Sequence, residues 1–341
     1  MRVKYYEDES RSNFGDDLNR WMWNRLSGDL LDDDDETLLL GIGTILSKSF
    51  VPAAKKYVVL GSGVGYDLPP DGFGGPSWDI LAVRGPLTAA ALGLPAEKAV
   101  IDGAALLGLL PELQPLPELE REGVAFMPHY ELLPYGNWEQ VCEMAGVAFL
   151  NPLADSEITV QQIRKSKLVI ADAMHAAIVA DALRVPWIPV VISRDHNTFK
   201  WLDWTMSLDI PYNPAVIPAS TLVEALRNFS LRFWGNRLRF EERDRESAIR
   251  KYNAFRKRKS QRHEALSRRI LFLLTFVIPK RIIQNRAIRG LKKIQDRSRT
   301  IHAAEKLRQI ATWPASLSEE ELLRMRLHRL EELLVALHRG A

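Results

Sequence analysis

Short uninterrupted apolar runs, each closing on a glycine or a turn and alternating with helix-patterned stretches, constrain this chain most. Thr37–Ile42 and Tyr57–Leu60 are such runs, closing on Gly41 and Gly43 and on Gly61, Gly63 and Gly65. Strands that lose polar–apolar alternation are buried on both faces, which is the environment of a parallel sheet covered by helices. Met1–Tyr6 and Ile80–Val83 read as further strands, and the polar turn 12–17 leads into a helix through Leu26. Gly85-Pro86 opens a helix through Ala91 and Gly93 stops it, with proline in the first turn and glycine past the last. Ala99–Ile101 closes this half, and the proline- and glutamate-rich stretch Pro111–Glu122 is a break. The pattern then restarts. Gly123–Met127, Val147–Leu150, Lys167–Ala171 and Trp187–Val191 read as strands. Trp138–Ala145, Glu157–Arg164 (capped by Ser156) and His175–Leu183 read as the helices between them. The expected fold class is α/β: two Rossmann-like doubly wound domains over 1–115 and 120–220, then a helical, Arg-rich extension over 221–341.

A formal net charge of +3 conceals an asymmetry. Residues 1–220 carry 17 basic and 30 acidic side chains, whereas residues 221–300 carry 23 and 7, a net of +16. An acidic body followed by a basic segment asks for two explanations. The one cysteine, Cys142, excludes an intramolecular disulfide and any multi-cysteine metal site, which fits a cytoplasmic protein. No opening segment has the pattern of a signal peptide. The apolar run Ile270–Pro279 is half the ~20 residues a spanning helix needs.

In doubly wound sheets ligands bind beyond the carboxyl ends of the strands, so the candidates are residues just past strands. Gly61-Ser62-Gly63-Val64-Gly65 lets a ligand approach the backbone or simply permits a tight turn; with no clear helix after it, it is not a dinucleotide fingerprint. Arg84, before the helix opened by Gly85-Pro86, suits a phosphate or carboxylate, the alternative being a salt bridge. His175 follows a strand and starts a helix, and His129 lies just past another strand; either suits proton donation or anion contact, and either suits a structural role. Asp16 and Asp17 suit orientation or deprotonation of a hydroxyl, or favourable placement at a helix start. No histidine pair has metal-ligand spacing, and no Walker A loop or Gly-x-Ser-x-Gly elbow occurs, so neither a metal nor a bound cofactor is expected.

Five stretches, in this order, resemble the polysaccharide pyruvyl transferase family. They are Asn13-Phe14-Gly15-Asp16-Asp17-Leu18-Asn19, Leu60–Gly65, Val83-Arg84-Gly85-Pro86-Leu87-Thr88, Met127-Pro128-His129-Tyr130, and the segment from His175 to Ala182-Leu183-Arg184-Val185-Pro186. Together they cover about the first 210 residues, and the first is most similar to the bacterial exopolysaccharide, succinoglycan-type branch. The resemblance implies a fold like the two-domain GT-B glycosyltransferases, with the acceptor on the first domain and the donor on the second. It implies transfer of pyruvate from phosphoenolpyruvate, as a co-substrate, onto two hydroxyls of a lipid-linked or nucleotide-linked sugar as a cyclic ketal, with release of phosphate. It maps the donor-binding arginine to Arg84 and the donor-binding histidine to His175. Gly61 and Gly63 fall on the donor side, and Asn13, Asp16 and Asp17 on the acceptor side. The chain departs from the family at Ile101-Asp102-Gly103, where Gly-Asp-Pro is usual, and at Ala173-Met174-His175, where Arg-Leu-His is usual. The second departure removes a positive charge beside His175.

Two rival readings stand beside this one: a nucleotide-sugar glycosyltransferase on the same architecture, and a non-catalytic scaffold with a basic binding tail. Phe229, Phe233, Trp234, Phe240, Tyr252 and Phe255 interleave with arginines as in nucleic-acid binders, but their helical spacing points to packing, so no nucleic acid is expected. Within the basic segment, Ile270-Leu271-Phe272-Leu273-Leu274 lies between Arg268-Arg269 and Lys280-Arg281. That pattern suits a helix lying on an anionic membrane surface at the inner face of the cytoplasmic membrane, or a segment packed on the acidic body.

Overall fold

The computed structural model describes residues 1–6, 12–32, 34–235, 238–260, 269–285 and 289–340. Its strands form two sheets in which every pairing is parallel. The first holds β1 (Arg2–Val3), β2 (Thr37–Leu40), β3 (Lys56–Leu60) and β4 (Trp78–Ala82), side by side in chain order. The second holds β5 (Glu122–Met127), β6 (Ala148–Phe149), β7 (Ser166–Ala171), β8 (Trp187–Val191) and β9 (Ala215–Val216), in the order β6-β5-β7-β8-β9. Only the second sheet reverses, between β5 and β7. The doubly wound arrangement expected of both halves therefore holds for the second alone, because the first adds each new strand on the same side. Ala99–Ile101, which closes the first half, makes only a parallel bridge from Ala99 to Val83.

Helix punctuation follows the local chemistry. The Pro86–Leu92 helix ends at Gly93, whose φ of 68° is left-handed and whose N–H returns to the carbonyls of Ala89 and Ala90. The Ser156–Lys165 helix is capped by Asp155, which accepts from the Ile158 N–H at 2.9 Å, and not by Ser156. Ser156 is the first helical residue, and its hydroxyl accepts the Trp21 indole N–H at 2.9 Å from the other half of the chain.

One apolar cluster runs through both halves. It joins Leu39 and Val58 of the first sheet to Val169 and Ala171 of the second, through Leu106 of the tight helical turn Gly103–Leu109. Leu327 and Leu330 of the last helix, Glu320–Gly340, belong to the same cluster. Behind the second sheet, Phe126, Ile170 and Ile188 pack with Val141 of the Trp138–Ala145 helix and with Ala304 and Leu307 of Arg289–Ile310. The Arg245–Ser260 helix docks Tyr252 on Phe199, rings stacked at 4.6 Å. Much of the chain after residue 220 is thus packed on the body, with Phe240 and Tyr252 buried and Phe229 and Phe233 exposed. No described helix is long and apolar enough to cross a membrane.

Candidate active site

The carboxyl ends of β5, β7 and β8 are tied together by Asp172, a buried carboxylate just past β7. One oxygen accepts the His129 backbone N–H at 3.1 Å and the other accepts that of Ile192 at 3.4 Å. Asp172 Oδ1 also lies 3.8 Å from Nδ1 of His196, whose Nε2 is 2.5 Å from the Tyr212 hydroxyl. This is the point where the strand order reverses, and an open crevice there is the expected ligand site of such a sheet. A cavity of about 310 Å³ occupies it. Its walls include Tyr66 from the loop after β3, His129 after β5, Asp172 after β7, and Ser193, Asp195, His196 and Asn197 after β8. Lys200, Arg227, Arg258 and Lys259 bring four cations to it, and Glu131 and Asp195 face them.

Lys200 stands on the Thr198–Ser207 helix, which the sequence pattern did not disclose. The Asn197 side chain caps that helix, accepting from the Lys200 backbone N–H at 3.2 Å. The ammonium donates to the Tyr66 hydroxyl at 2.6 Å and lies 4.6 Å from the centre of that ring. Among the described residues no carboxylate pairs with it, whereas Arg227 has Asp195 at 2.8 Å and Lys259 has Asp67 at 3.3 Å. Burial and the nearby Arg84 charge lower its pKa to about 8, against the pull of Asp16, Glu131 and Asp102. It is a cation at neutral pH, with room for an anion beside it.

The neighbouring titratable groups are tuned by the same burial. Asp16 is pushed up to about 7 by burial, against the attraction of Lys200 and the Asn13 amide that hydrogen-bonds its Oδ2. His129 is lowered to about 4 by burial and then by Lys200, with Asp172 opposing. His175 is lowered to about 3 by burial, Lys200 and Arg84. Its ring packs against Gly15, where an added Cβ would meet Nδ1 at 1.8 Å, so Gly15 is there because nothing larger fits. His175 Nε2 is 3.9 Å from Asp102 Oδ1. That nitrogen and Asp102 Oδ2 are both buried and have no hydrogen-bond partner among the described residues, and burial pushes Asp102 up to about 6. His129 lines the cavity; Asp16 and His175 stand beside it, and each feels the Lys200 charge. Asp17 is taken up locally: it accepts from the Ser12 hydroxyl and, at 3.0 Å, from the Asn13 N–H, and it pairs with Arg20 at 3.0 Å.

Arg84 is 0% exposed, and a protein carboxylate occupies the position expected for a bound anion. Asp203 accepts from Arg84 Nε at 2.9 Å, from the Leu87 and Thr88 N–H groups at 2.8 Å each, and from the Thr88 hydroxyl at 2.5 Å. One aspartate thus neutralises the arginine and caps the Pro86–Leu92 helix. The guanidinium also donates to Thr44 Oγ1 at 2.9 Å and to the Val64 carbonyl at 2.8 Å. The glycine run serves the same packing. A Cβ on Gly63 would meet the guanidinium at 2.5 Å, and one on Gly61 (φ 99°) would meet the Gly103 backbone at 2.4 Å. Among the described residues no cluster of histidine, cysteine and carboxylate side chains is arranged to hold a metal ion.

Comparison with known proteins gives one informative likeness. Over 231 residues the chain is 41% identical to the succinoglycan biosynthesis protein ExoV of Rhizobium meliloti (strain 1021), a match spanning 68% of this chain and 72% of that protein. The chain belongs to the ExoV family. No family model and no solved structure matches it. By its name, that relative takes part in succinoglycan biosynthesis. Lys200, Asp172 and Asp203 escaped the sequence reading. The usable signal was the polar run Ser193–Asn197 directly after the apolar strand Trp187–Val191, which repeats the strand-then-loop pattern of the other candidates.

Proposed function

We propose that the protein transfers the pyruvyl group of phosphoenolpyruvate to two hydroxyls of a lipid-linked or nucleotide-linked saccharide, forming a cyclic ketal and releasing phosphate. Kinship with a succinoglycan biosynthesis protein supports the acceptor class. The observation that carries the donor is the cavity at the strand reversal, where four cations converge and Lys200 lacks a carboxylate partner among the described residues. A donor bearing both a carboxylate and a phosphate supplies the missing anion, through charge-assisted hydrogen bonds about twice as strong as neutral ones. The two parallel sheets around a shared cleft are, on this reading, GT-B-like.

In this reading Lys200 and Arg258 bind the anionic groups of the donor. His129, on the cavity wall, delivers a proton to the methylene carbon. Burial and Lys200 favour its neutral imidazole, and the negative charge of bound phosphate opposes both effects. The first acceptor hydroxyl adds to the adjacent carbon, the carbon–oxygen bond to phosphate breaks, and the second hydroxyl closes the ring. Of the two hydroxyl protons, one replaces the proton given to carbon and the other leaves with phosphate, so the reaction needs no oxidant. Asp16, titrating near neutrality, accepts a hydroxyl proton, and Asn13 holds its carboxylate. Arg84 is a positioning residue: through Asp203 it fixes the helix that carries Lys200. His175 does not line the cavity; its ring packs against Gly15 beside Asp102.

Incubation with phosphoenolpyruvate and a panel of lipid-linked and nucleotide-linked saccharides tests the proposal. The expected product is a pyruvyl ketal, identified by mass spectrometry, with one phosphate released per ketal. Sugar transfer from a nucleotide sugar in place of pyruvyl transfer would overturn it.

A further inference from the structure

The basic segment carries apolar side chains on the wrong side for a core. In the helical stretch covering 269–283, which widens into a π-type turn at Leu273–Val277 and continues as Ile278–Ile283, the inward residues are aromatic. Phe276 is buried with its ring edge-on to Tyr135, and Phe272 meets Trp234 edge-on at 5.0 Å. The outward residues Ile270, Leu273, Leu274, Ile278 and Ile282 recur at helical spacing and are 47–61% exposed. Among the described residues nothing covers them. Leu291 and Ile294 on the next described helix are exposed as well. An apolar stripe pointing away from the protein does not stabilise the fold; contiguous exposed apolar surface of this kind marks an interaction site.

The charge around the stripe selects the partner. Residues 221–300 carry a net +16, and Arg269, Arg281, Lys293 and Arg297 are exposed beside or after the stripe, while Arg268 lies outside the described residues. Cations flanking an inserted apolar face match anionic head groups above acyl chains. A second copy of this chain would have to bring the same positive charge to the same place, which disfavours self-association. We propose that the 269–283 segment docks on an anionic lipid surface with Ile270, Leu273, Leu274, Ile278 and Ile282 in the acyl boundary. The inner face of the segment reaches the candidate site. Trp234 lines the cavity, and the Arg227 guanidinium lies 5.0 Å from the Tyr135 ring that Phe276 contacts. Docking would therefore hold the cavity wall close to the lipid surface. The inference stands apart from the reaction proposed above and is tested without measuring activity.

Flotation of the full-length protein with phosphatidylcholine vesicles containing phosphatidylglycerol, against pure phosphatidylcholine, is the test. Binding is expected only to the anionic vesicles, and it should weaken as salt rises. Replacing Leu274 and Ile278 together by aspartate removes two exposed side chains without opening the core. Partitioning should fall about a hundredfold with an unchanged melting temperature. Arg281→Glu, which leaves the apolar stripe intact, should weaken binding about tenfold. The proposal fails if the wild-type protein ignores anionic vesicles at low salt, or if both variants float like wild type. It fails equally if sedimentation shows a dimer that the double aspartate variant dissolves, since the stripe then belongs to a second copy.

Discussion

The Arg84–Asp203 pair allows structural and substrate-binding roles to be separated by energy. Both side chains are 0% exposed, so solvent does not screen them. Replacing Asp203 by leucine leaves the guanidinium buried with only Thr44 and the Val64 carbonyl as acceptors, and breaking a buried pair in this way costs about 3–5 kcal/mol. The same change strips the cap from the Leu87 and Thr88 N–H groups, about 1 kcal/mol more. Replacing Arg84 by methionine costs less, because the Asp203 carboxylate keeps its helix-terminal donors. The double variant Arg84→Met, Asp203→Leu leaves no orphan charge and should recover at least ~2 kcal/mol of the summed single losses. Urea midpoints of the four proteins give the cycle, and calorimetric titration of phosphoenolpyruvate into the double variant gives donor affinity. Retained affinity is expected, within a few-fold of wild type, because methionine and leucine still pack the Lys200 helix against the Pro86–Leu92 helix. Additive losses within ~0.5 kcal/mol, or a stable double variant that no longer binds the donor, would refute the reasoning and return Arg84 to direct anion contact.

The pH dependence of kcat/KM should be bell-shaped: it rises as Asp16 loses its proton through about 7 and falls as Lys200 loses its charge above about 8. Asp16→Asn should remove the acidic limb, and a profile flat from about pH 6 to 9 counts against both roles. His129→Asn should lower the rate at saturating donor by ~10²–10⁴, whereas His175→Asn, away from the cavity wall, should act on donor affinity more than on rate, by loosening the packing against Gly15 beside Asp16. Steady-state kinetics of the two variants distinguishes these outcomes, and the reverse pattern would exchange the assignments.

Much of the fold is legible in local signals. The continuous apolar runs Thr37–Ile42, Tyr57–Leu60 and Trp187–Val191 become buried parallel strands, and Trp138–Ala145 is a helix with the bounds its pattern gives. Strand order is not local, which is why the sequential first sheet differs from expectation. The Thr198–Ser207 helix is hidden for another reason: it is buried on nearly all sides by Phe199, Trp201, Leu202 and Trp204, so it has little amphipathic contrast to read. With that helix unseen, Lys200 and Asp203 are invisible too. The Arg84–Asp203 bond spans 119 positions, and no spacing rule connects them. An arginine before a helix start is equally good for a ligand phosphate and for a protein carboxylate, and only the fold decides between them. His129 and Asp16, by contrast, are found by their place beyond strands or at a turn, which chain order alone discloses.

Lys200 is the residue on which donor binding turns. Titrating phosphoenolpyruvate into wild type and into Lys200→Met by calorimetry, at pH 7 where the ammonium is charged, measures its contribution directly. One lost charge-assisted contact, worth about 1.5–3 kcal/mol, should weaken binding roughly ten- to a hundredfold, with Lys200→Arg recovering part. The melting temperature should not fall, since no carboxylate among the described residues is left unpaired. Equal affinity in wild type and Lys200→Met, or a nucleotide sugar bound in preference to phosphoenolpyruvate, would contradict the anion site at the strand reversal and the reaction built on it.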